Sequence, residues 1–94
     1  MVLERVEINV KDGMVESLLA ALRDKGQPLL LGIEGCQAVR FGGGVENPGK
    51  VILLVDWVSL GAHEAFKKMP EYTTLATSIF PFANGATAEH FSMG

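Results

Sequence analysis

The stretch Val51–Tyr72, VILLVDWVSLGAHEAFKKMPEY, decides how the chain folds. It opens with an apolar run of strand length, Val51–Val55, and then reaches the only tryptophan of the chain, Trp57. The period changes after that point, because Ser59 is a favourable helix N-cap and apolar side chains recur at helical spacing. These side chains are Ala62, Phe66 and Met69. The sequence therefore predicts a strand that turns directly into a helix, with Trp57 at the junction.

Three further segments have strand patterns. Val2–Val10 alternates apolar and polar residues, which is typical of a strand with one buried face. Cys36–Val45 and Lys50–Val58 are joined by the turn sequence Glu46–Gly49 and are predicted to form a hairpin. A last strand is predicted near the C-terminus, at Ala86–Met93.

The region after the first strand is predicted to be helical. Asp12 is a candidate N-cap, and apolar residues recur at helical spacing from Met14 to Leu22. Gly26 is predicted to end this helix. The leucines within Gln27–Gly35 are predicted to form another helical turn that packs over the core.

The region after the second helix supplies one more helical segment. Glu71–Phe82 is predicted to be a short helix that Pro81 ends. Asn84–Gly85 is then predicted to form the turn into the last strand. The predicted order is strand, helix, strand, strand, helix, strand.

That order is the ferredoxin-like βαββαβ arrangement, an α+β fold in which two helices cover one face of a four-stranded antiparallel sheet. The third strand is apolar on both faces, because Ile52, Leu54 and Val58 point away from the side of Trp57. A second copy of the chain would cover these side chains by packing sheet against sheet. The sequence therefore predicts a homodimer that forms a dimeric α/β barrel.

Length and composition limit the class of protein. The 94 residues are predicted to form a single domain, residues 1–94. Eight basic and eleven acidic residues give a net charge of -3 without a basic cluster, which argues against nucleic acid or an anionic membrane as partner. Cys36 has no second cysteine to pair with, and the N-terminus has no signal-peptide pattern. Because no stretch is apolar for long enough to span a bilayer, a cytoplasmic protein is predicted.

Several short motifs lie along nearly the whole chain. They are Pro28–Leu31 with Gly35–Cys36, Val51–Trp57, Ser59–Leu60 with His63 and Phe66, and Pro70–Tyr72 with Leu75. Together they resemble the antibiotic biosynthesis monooxygenase (ABM) domain of the dimeric α/β-barrel superfamily. In that family a pocket lies between the sheet and the helices of each subunit. Strand parity and the resemblance together imply a substrate pocket formed by Leu53, Val55, Trp57 and Phe66.

The sequence departs from the family pattern at several positions. Quinone-forming members that need no cofactor carry an asparagine four residues before the tryptophan, where this chain has Leu53. They carry a tyrosine where this chain has His63. Haem-degrading relatives use a histidine after the second helix, where this chain has Leu75–Ser78, and Asn9 has the wrong strand parity to match their asparagine. These departures disfavour haem degradation.

The candidate catalytic residues are His63 and Tyr72. Histidine is the side chain whose unperturbed charge change suits acid–base chemistry near neutral pH. Two structural interpretations stand beside this one: His63 as a half-exposed histidine at the edge of the apolar side of its helix, and Trp57 as a large core side chain. His90, on the last strand, is expected to be structural.

No cofactor or metal site is predicted. Cys36 has no partner at a metal-ligand spacing, and two histidines far apart in the sequence do not indicate a zinc site. Gly42–Gly44 leads into a hairpin and not into a helix N-terminus, so it is not expected to bind phosphate. These glycines are expected to allow a β-bulge or a local twist.

Two classes of function follow from these residues. The first is a cofactor-independent monooxygenase that acts on a small phenol or quinol, with His63 or Tyr72 binding and deprotonating the substrate. The second is a non-catalytic homodimer that binds a small apolar or aromatic ligand. The family's missing asparagine and tyrosine favour the second class, and the resemblance favours the first.

Overall fold

The computed structural model describes all 94 residues and shows a four-stranded sheet with helices on one face. The predicted order of strands and helical regions is confirmed, and each helical region consists of several short segments. The elements are β1 (Val2–Val10), α1 (Val15–Ala21), a π-helical turn (Leu22–Gly26), α2 (Gln27–Leu31), β2 (Cys36–Gly43), β3 (Lys50–Trp57), α3 (Leu60–Phe66), α4 (Pro70–Ile79), a 3-10 turn (Phe80–Phe82) and β4 (Ala83–Ser92). None of the helices is both long enough and apolar enough to cross a membrane.

The strands lie in the order β2-β3-β1-β4, and each neighbouring pair is antiparallel. This is the predicted ferredoxin-like α+β fold. On the central strand β1, Glu4 lies opposite Val55 of β3 and opposite His90 of β4. The register therefore places one residue from each of three strands side by side across the middle of the sheet.

The side of the sheet that faces the helices carries the core. In β3, buried residues alternate strictly with half-buried ones, and Val51, Leu53, Val55 and Trp57 are the buried set. This is the period of two that a strand imposes on its side chains. The largest helical contributors to the core are Leu18, Leu22, Leu30, Phe66 and Ile79.

The first helical region continues past Gly26, where it was predicted to end. Helical backbone angles run without a break from α1 through the π-helical turn into α2. Gly26 is buried, and a Cβ at this position would lie 3.5 Å from Leu75 of α4. Glycine is used here for close helix packing and not as a stop signal. The predicted cap at Asp12 is also wrong, because Met14 is the N-cap residue and no side chain caps this helix.

The start of α3 is as predicted. Ser59 has an extended backbone, and its Oγ accepts a hydrogen bond of 3.2 Å from the backbone N–H of Ala62. The last helical region ends as a 3-10 turn that contains Pro81, after α4 has ended at Ile79. Pro81 has no backbone N–H, so it cannot donate the hydrogen bond that would continue α4.

The last strand begins earlier than predicted. Asn84 and Gly85 lie within β4, where Gly85 pairs with Asn9 of β1, so the turn predicted at these residues is wrong. The register between the two strands shifts at Asn9 and Val10, opposite this segment. The flexible dipeptide therefore accommodates an irregularity in the pairing instead of reversing the chain.

The hairpin between β2 and β3 turns at the predicted residues. The side chain of Asn47 accepts a hydrogen bond from the backbone two residues further on, which closes the turn. A Cβ on Gly44 would overlap the carbonyl oxygen of Asn47, so this position requires glycine. The irregularity expected within Gly42–Gly44 lies instead between Cys36 and Ala38, at the other end of β2.

The face of the sheet opposite the helices is uncovered. Ile52 and Leu54 lie on it and are half-buried, as their strand parity predicted. Val58, expected to share this face, follows the end of β3 and is largely exposed. Arg5 lies opposite Leu54 and forms ion pairs with two glutamates. The uncovered face therefore combines an apolar centre with a charged network, and is more polar than predicted.

Candidate active site

A cavity of about 240 Å³ lies between the helix-covered side of the sheet and helices α3 and α4. Of its 15 lining residues, 13 are hydrophobic, as is usual for small-molecule sites. The predicted pocket residues Leu53, Val55 and Phe66 line it, and so do the predicted catalytic residues His63 and Tyr72. The fold thus gathers these residues from one strand and two helices around a single space.

Trp57 lies behind the cavity wall and does not line the cavity, which corrects its prediction as a pocket residue. Its side chain is fully buried, and its ring packs against the rings of His63 and Phe66 at centroid distances of 5.6 and 5.5 Å. The indole Nε1 donates a hydrogen bond of 3.1 Å to Glu4 Oε1. Trp57 is therefore a core side chain that positions a polar residue of the cavity.

Glu4 is the polar residue that sequence analysis missed. It has the same strand parity as Val6 and Ile8, so its carboxylate points to the helix side and into the cavity wall. Its side chain is only 14% exposed, and its Oε2 lies 3.3 Å from His63 Nε2. An acidic residue at a strand position that faces the core indicates a polar site in the sequence alone, because a buried carboxylate needs polar partners.

His63 is buried, with 5% exposure, and not half-exposed as predicted. The Ser59 cap sets the phase of α3 so that His63 and Phe66, three residues apart, face the sheet together. Burial lowers the pKa of His63 from its usual 6.5, against the opposing attraction of the Glu4 carboxylate. The neutral ring can donate from Nε2 to Glu4, while Nδ1 is buried without a hydrogen-bond partner.

His90 lies beside this pair. Its ring centroid is 4.5 Å from that of His63, and its Nε2 is 4.0 Å from Glu4 Oε2. The two histidines are far apart in the sequence, yet the fold brings them together, because the pairing of β1 with β4 sets His90 opposite Glu4. Sequence separation carried no information about this contact.

Tyr72 forms the outer part of the cavity wall. Its ring meets Phe66 edge to face, with a centroid distance of 5.5 Å and an interplanar angle of 72°. The residue is 39% exposed, so it forms a part of the cavity wall that meets solvent. The structure therefore offers a polar pair, Glu4 and His63, on the inner wall and a phenol group on the outer wall.

Residues 1–77 match the family model described as antibiotic biosynthesis monooxygenase. This chain belongs to the antibiotic biosynthesis monooxygenase family. The family resemblance found in the sequence is thereby confirmed, and membership supports a monooxygenase-like role. No curated protein gives a significant match to the sequence.

Solved structures of other proteins share the fold of this chain. A proposed antibiotic biosynthesis monooxygenase from Bordetella bronchiseptica superposes with a TM-score of 0.92 at 20% identity, covering 99% of this chain and 96% of that one. A counterpart of the same description from Deinococcus radiodurans gives a TM-score of 0.85 at 16% identity, with coverages of 100% and 93%. A third, from Nitrosomonas europaea, gives 0.84 at 15% identity, with coverages of 99% and 98%. At such identities the likeness establishes the fold.

Proposed function

We propose that this ABM-family protein is a cofactor-independent monooxygenase that acts on a small phenol or quinol held in the cavity. The observation that carries the proposal is the pair of polar groups, Glu4 and His63, set 3.3 Å apart in a wall that is otherwise almost entirely apolar. A cavity of about 240 Å³ suits a compact aromatic molecule. Apolar walls would hold its ring, and the polar pair would meet its hydroxyl group.

The polar pair would act as the proton acceptor. Neutral His63, hydrogen-bonded to Glu4, can take up a proton and become an imidazolium beside a carboxylate that stabilises it. The resulting phenolate is electron-rich and can itself reduce O₂. One oxygen atom joins a ring carbon to give the quinone carbonyl, and the other leaves as water with the two hydrogens that the substrate loses. All electrons come from the substrate, so the reaction needs no further reductant.

Tyr72 has a different role in this proposal. Its ring packs edge to face on Phe66, and the two aromatic side chains would pack against the apolar part of the substrate. The partly exposed hydroxyl could donate a hydrogen bond to a second oxygen of a quinol. Glu4 and His63 are thus assigned to proton transfer, and Tyr72 to orientation at the outer end of the cavity.

A second candidate is a non-catalytic module that binds a small apolar ligand. It is favoured by Leu53, which lines the cavity where quinone-forming relatives are expected to carry an asparagine. Without that amide, residue 53 offers a ligand only dispersion contacts. Both candidate functions use the same binding site, and only the first converts the bound molecule into a product.

Oxygen uptake separates the two candidates. The purified protein would be incubated with a panel of phenols and quinols in the presence of EDTA and without flavin, and O₂ consumption and quinone formation would be followed together. Under the first proposal, one or more compounds give equimolar O₂ loss and quinone formation over many turnovers. Binding of the same compounds in calorimetry without O₂ uptake would overturn the enzyme and support the binding module.

We also propose that the protein is a homodimer formed through the uncovered face of the sheet. Ile52 and Leu54 lie on that face, and the charged network of Arg5 and Glu7 lies beside them on the neighbouring strand β1. Apolar side chains on an uncovered sheet face are typical of a surface that another protein covers. Two copies related by a twofold axis would bury the apolar centres against each other and form the α/β barrel.

A further inference from the structure

We propose that Glu4, His63 and His90 form a binding site for a divalent transition-metal ion, such as Zn²⁺ or Co²⁺, on the inner wall of the cavity. One candidate ligand atom from each residue lies within 4.8 Å of the other two. The inference uses two residues of the proposed function but does not depend on the proposed reaction. It concerns binding of an ion by the protein without any substrate.

The donor atoms are already close to a coordination geometry. Glu4 Oε2 lies 3.3 Å from His63 Nε2 and 4.0 Å from His90 Nε2. Ligand bonds of about 2.0 to 2.2 Å at tetrahedral angles would separate donor atoms by about 3.4 Å. The first distance meets this value. The second is longer by about 0.6 Å, and the donor atoms of the two histidines lie within 4.8 Å of each other, so His90 must move inward by up to about 1.4 Å. Its side chain is 30% exposed.

The three ligands come from three ordered elements. Glu4 and His90 are directly opposed residues of the paired strands β1 and β4, and His63 lies in the first turn of the capped helix α3. No loop contributes a ligand, so the fold fixes the backbone positions of the three residues before an ion binds. A preformed site loses less conformational entropy on binding than one that must be assembled.

Trp57 supplies the outer hydrogen bond that metal sites commonly contain. Its indole N–H donates to Glu4 Oε1 and leaves Oε2, the oxygen nearest both histidines, free to coordinate. Partners of this kind orient ligating side chains and contribute to affinity. The position of this bond explains why a buried tryptophan beside a carboxylate matters beyond packing.

The chemistry of the donors selects the class of ion. Two imidazole nitrogens and one carboxylate oxygen suit Zn²⁺, Co²⁺ or Fe²⁺ better than Mg²⁺ or Ca²⁺, which prefer oxygen ligands. Glu4 and His63 line the cavity, and an ion held by them would take the place of the Glu4–His63 contact that the proposed reaction uses.

The test is titration of chelator-treated protein with Co²⁺, followed by its visible absorption, and then with Zn²⁺ in calorimetry. We expect one ion per chain, absorption bands of four- or five-coordinate Co²⁺, and loss of these bands when Zn²⁺ displaces it. Replacement of His90 by alanine, or by glutamine with its larger side chain, should weaken Co²⁺ binding by at least about 100-fold, since one of three ligands is lost. The variants are His90→Ala and His90→Gln. Circular dichroism would show that both variants fold.

Glu89→Gln is the matched control. Glu89 adjoins His90 on β4, but its carboxylate is exposed and pairs with Arg5 on the opposite face of the sheet. This variant should bind Co²⁺ as the wild type does. Absence of Co²⁺ binding to the wild type, or equal binding by wild type and both His90 variants, would overturn the metal site. The oxygen-uptake assay in EDTA tests the proposed reaction separately, so either idea can fail alone.

Discussion

The indole Nε1 of Trp57 lies 3.1 Å from Glu4 Oε1 and donates a hydrogen bond to it. This bond joins the fully buried tryptophan to the one carboxylate of the cavity wall. The bond occupies one carboxylate oxygen and directs the other towards His63. The core thus determines the geometry of the polar pair, and stability and site chemistry are linked through a single contact.

Breaking this contact should destabilise the protein. Trp57→Phe removes the donor to a largely buried carboxylate and leaves a small cavity, so we expect a loss of about 2 to 4 kcal/mol in the free energy of unfolding. Urea denaturation measures it. In a Glu4→Leu background no carboxylate is left without its donor, so the same replacement should cost about 1 to 2 kcal/mol less. An equal cost in both backgrounds would show that the hydrogen bond adds nothing beyond packing.

Ser59→Ala should lower the free energy of unfolding by about 1 kcal/mol, because it removes the side-chain cap of α3. The same substitution at Ser78 is the matched control. Ser78 lies inside α4 and its Oγ bonds to the backbone carbonyl of Thr74, so alanine, a better helix former, should cost little or nothing there. Equal denaturant midpoints for both variants would show that α3 does not depend on its cap.

Stability should depend on pH through His63. Its pKa is lowered in the folded state by burial, so between pH 6.5 and the folded-state value the unfolded chain binds more protons than the folded chain. The contribution of His63 to stability is therefore complete above about pH 6.5 and decreases as the pH falls towards the folded-state pKa. Urea midpoints from pH 8 to pH 5 would show this. His63→Gln does not titrate, and its profile should be flatter than that of the wild type over this interval.

The sequence was sufficient for the fold because its signals were local and repeated. The alternation of β3, the cap at Ser59 and the turn at Asn47 each depend on a few adjacent residues. Errors arose where a local signal met a tertiary constraint. Gly26 resembles a helix stop, but it is buried beside Leu75 of α4 and the helical backbone continues through it.

The site was predicted only in part, because strand register cannot be read from one strand at a time. Strand parity together with the family resemblance predicted Leu53, Val55 and Phe66 as pocket residues, and all three line the cavity. The contact of Glu4 with His90 depends on how β1 pairs with β4, and no local pattern encodes that pairing. The sequence therefore does not show that Glu4, His63 and His90 lie together.

The proposed homodimer predicts a specific effect of charge on the uncovered face. Light scattering at micromolar concentration should give twice the chain mass for the wild type. Leu54→Glu places a charge in the apolar centre of that face and should give a monomer or an unfolded chain, since an unpaired buried charge costs several kcal/mol. Val45→Glu, in the exposed hairpin, should leave the mass unchanged. A monomeric wild type would contradict the dimer.

The role of His63 separates an enzyme from a binding module. If His63 takes the phenolic proton, His63→Ala should lower the rate of quinone formation by about 10²- to 10⁴-fold, the range for loss of a general base. Affinity for the same compound, measured by calorimetry without oxygen, should change far less, because the apolar walls remain. Lys68→Ala, an exposed change just beyond α3, controls for indirect effects and should keep the wild-type rate. A wild-type rate in His63→Ala would assign proton transfer to another group and remove His63 from the proposed mechanism.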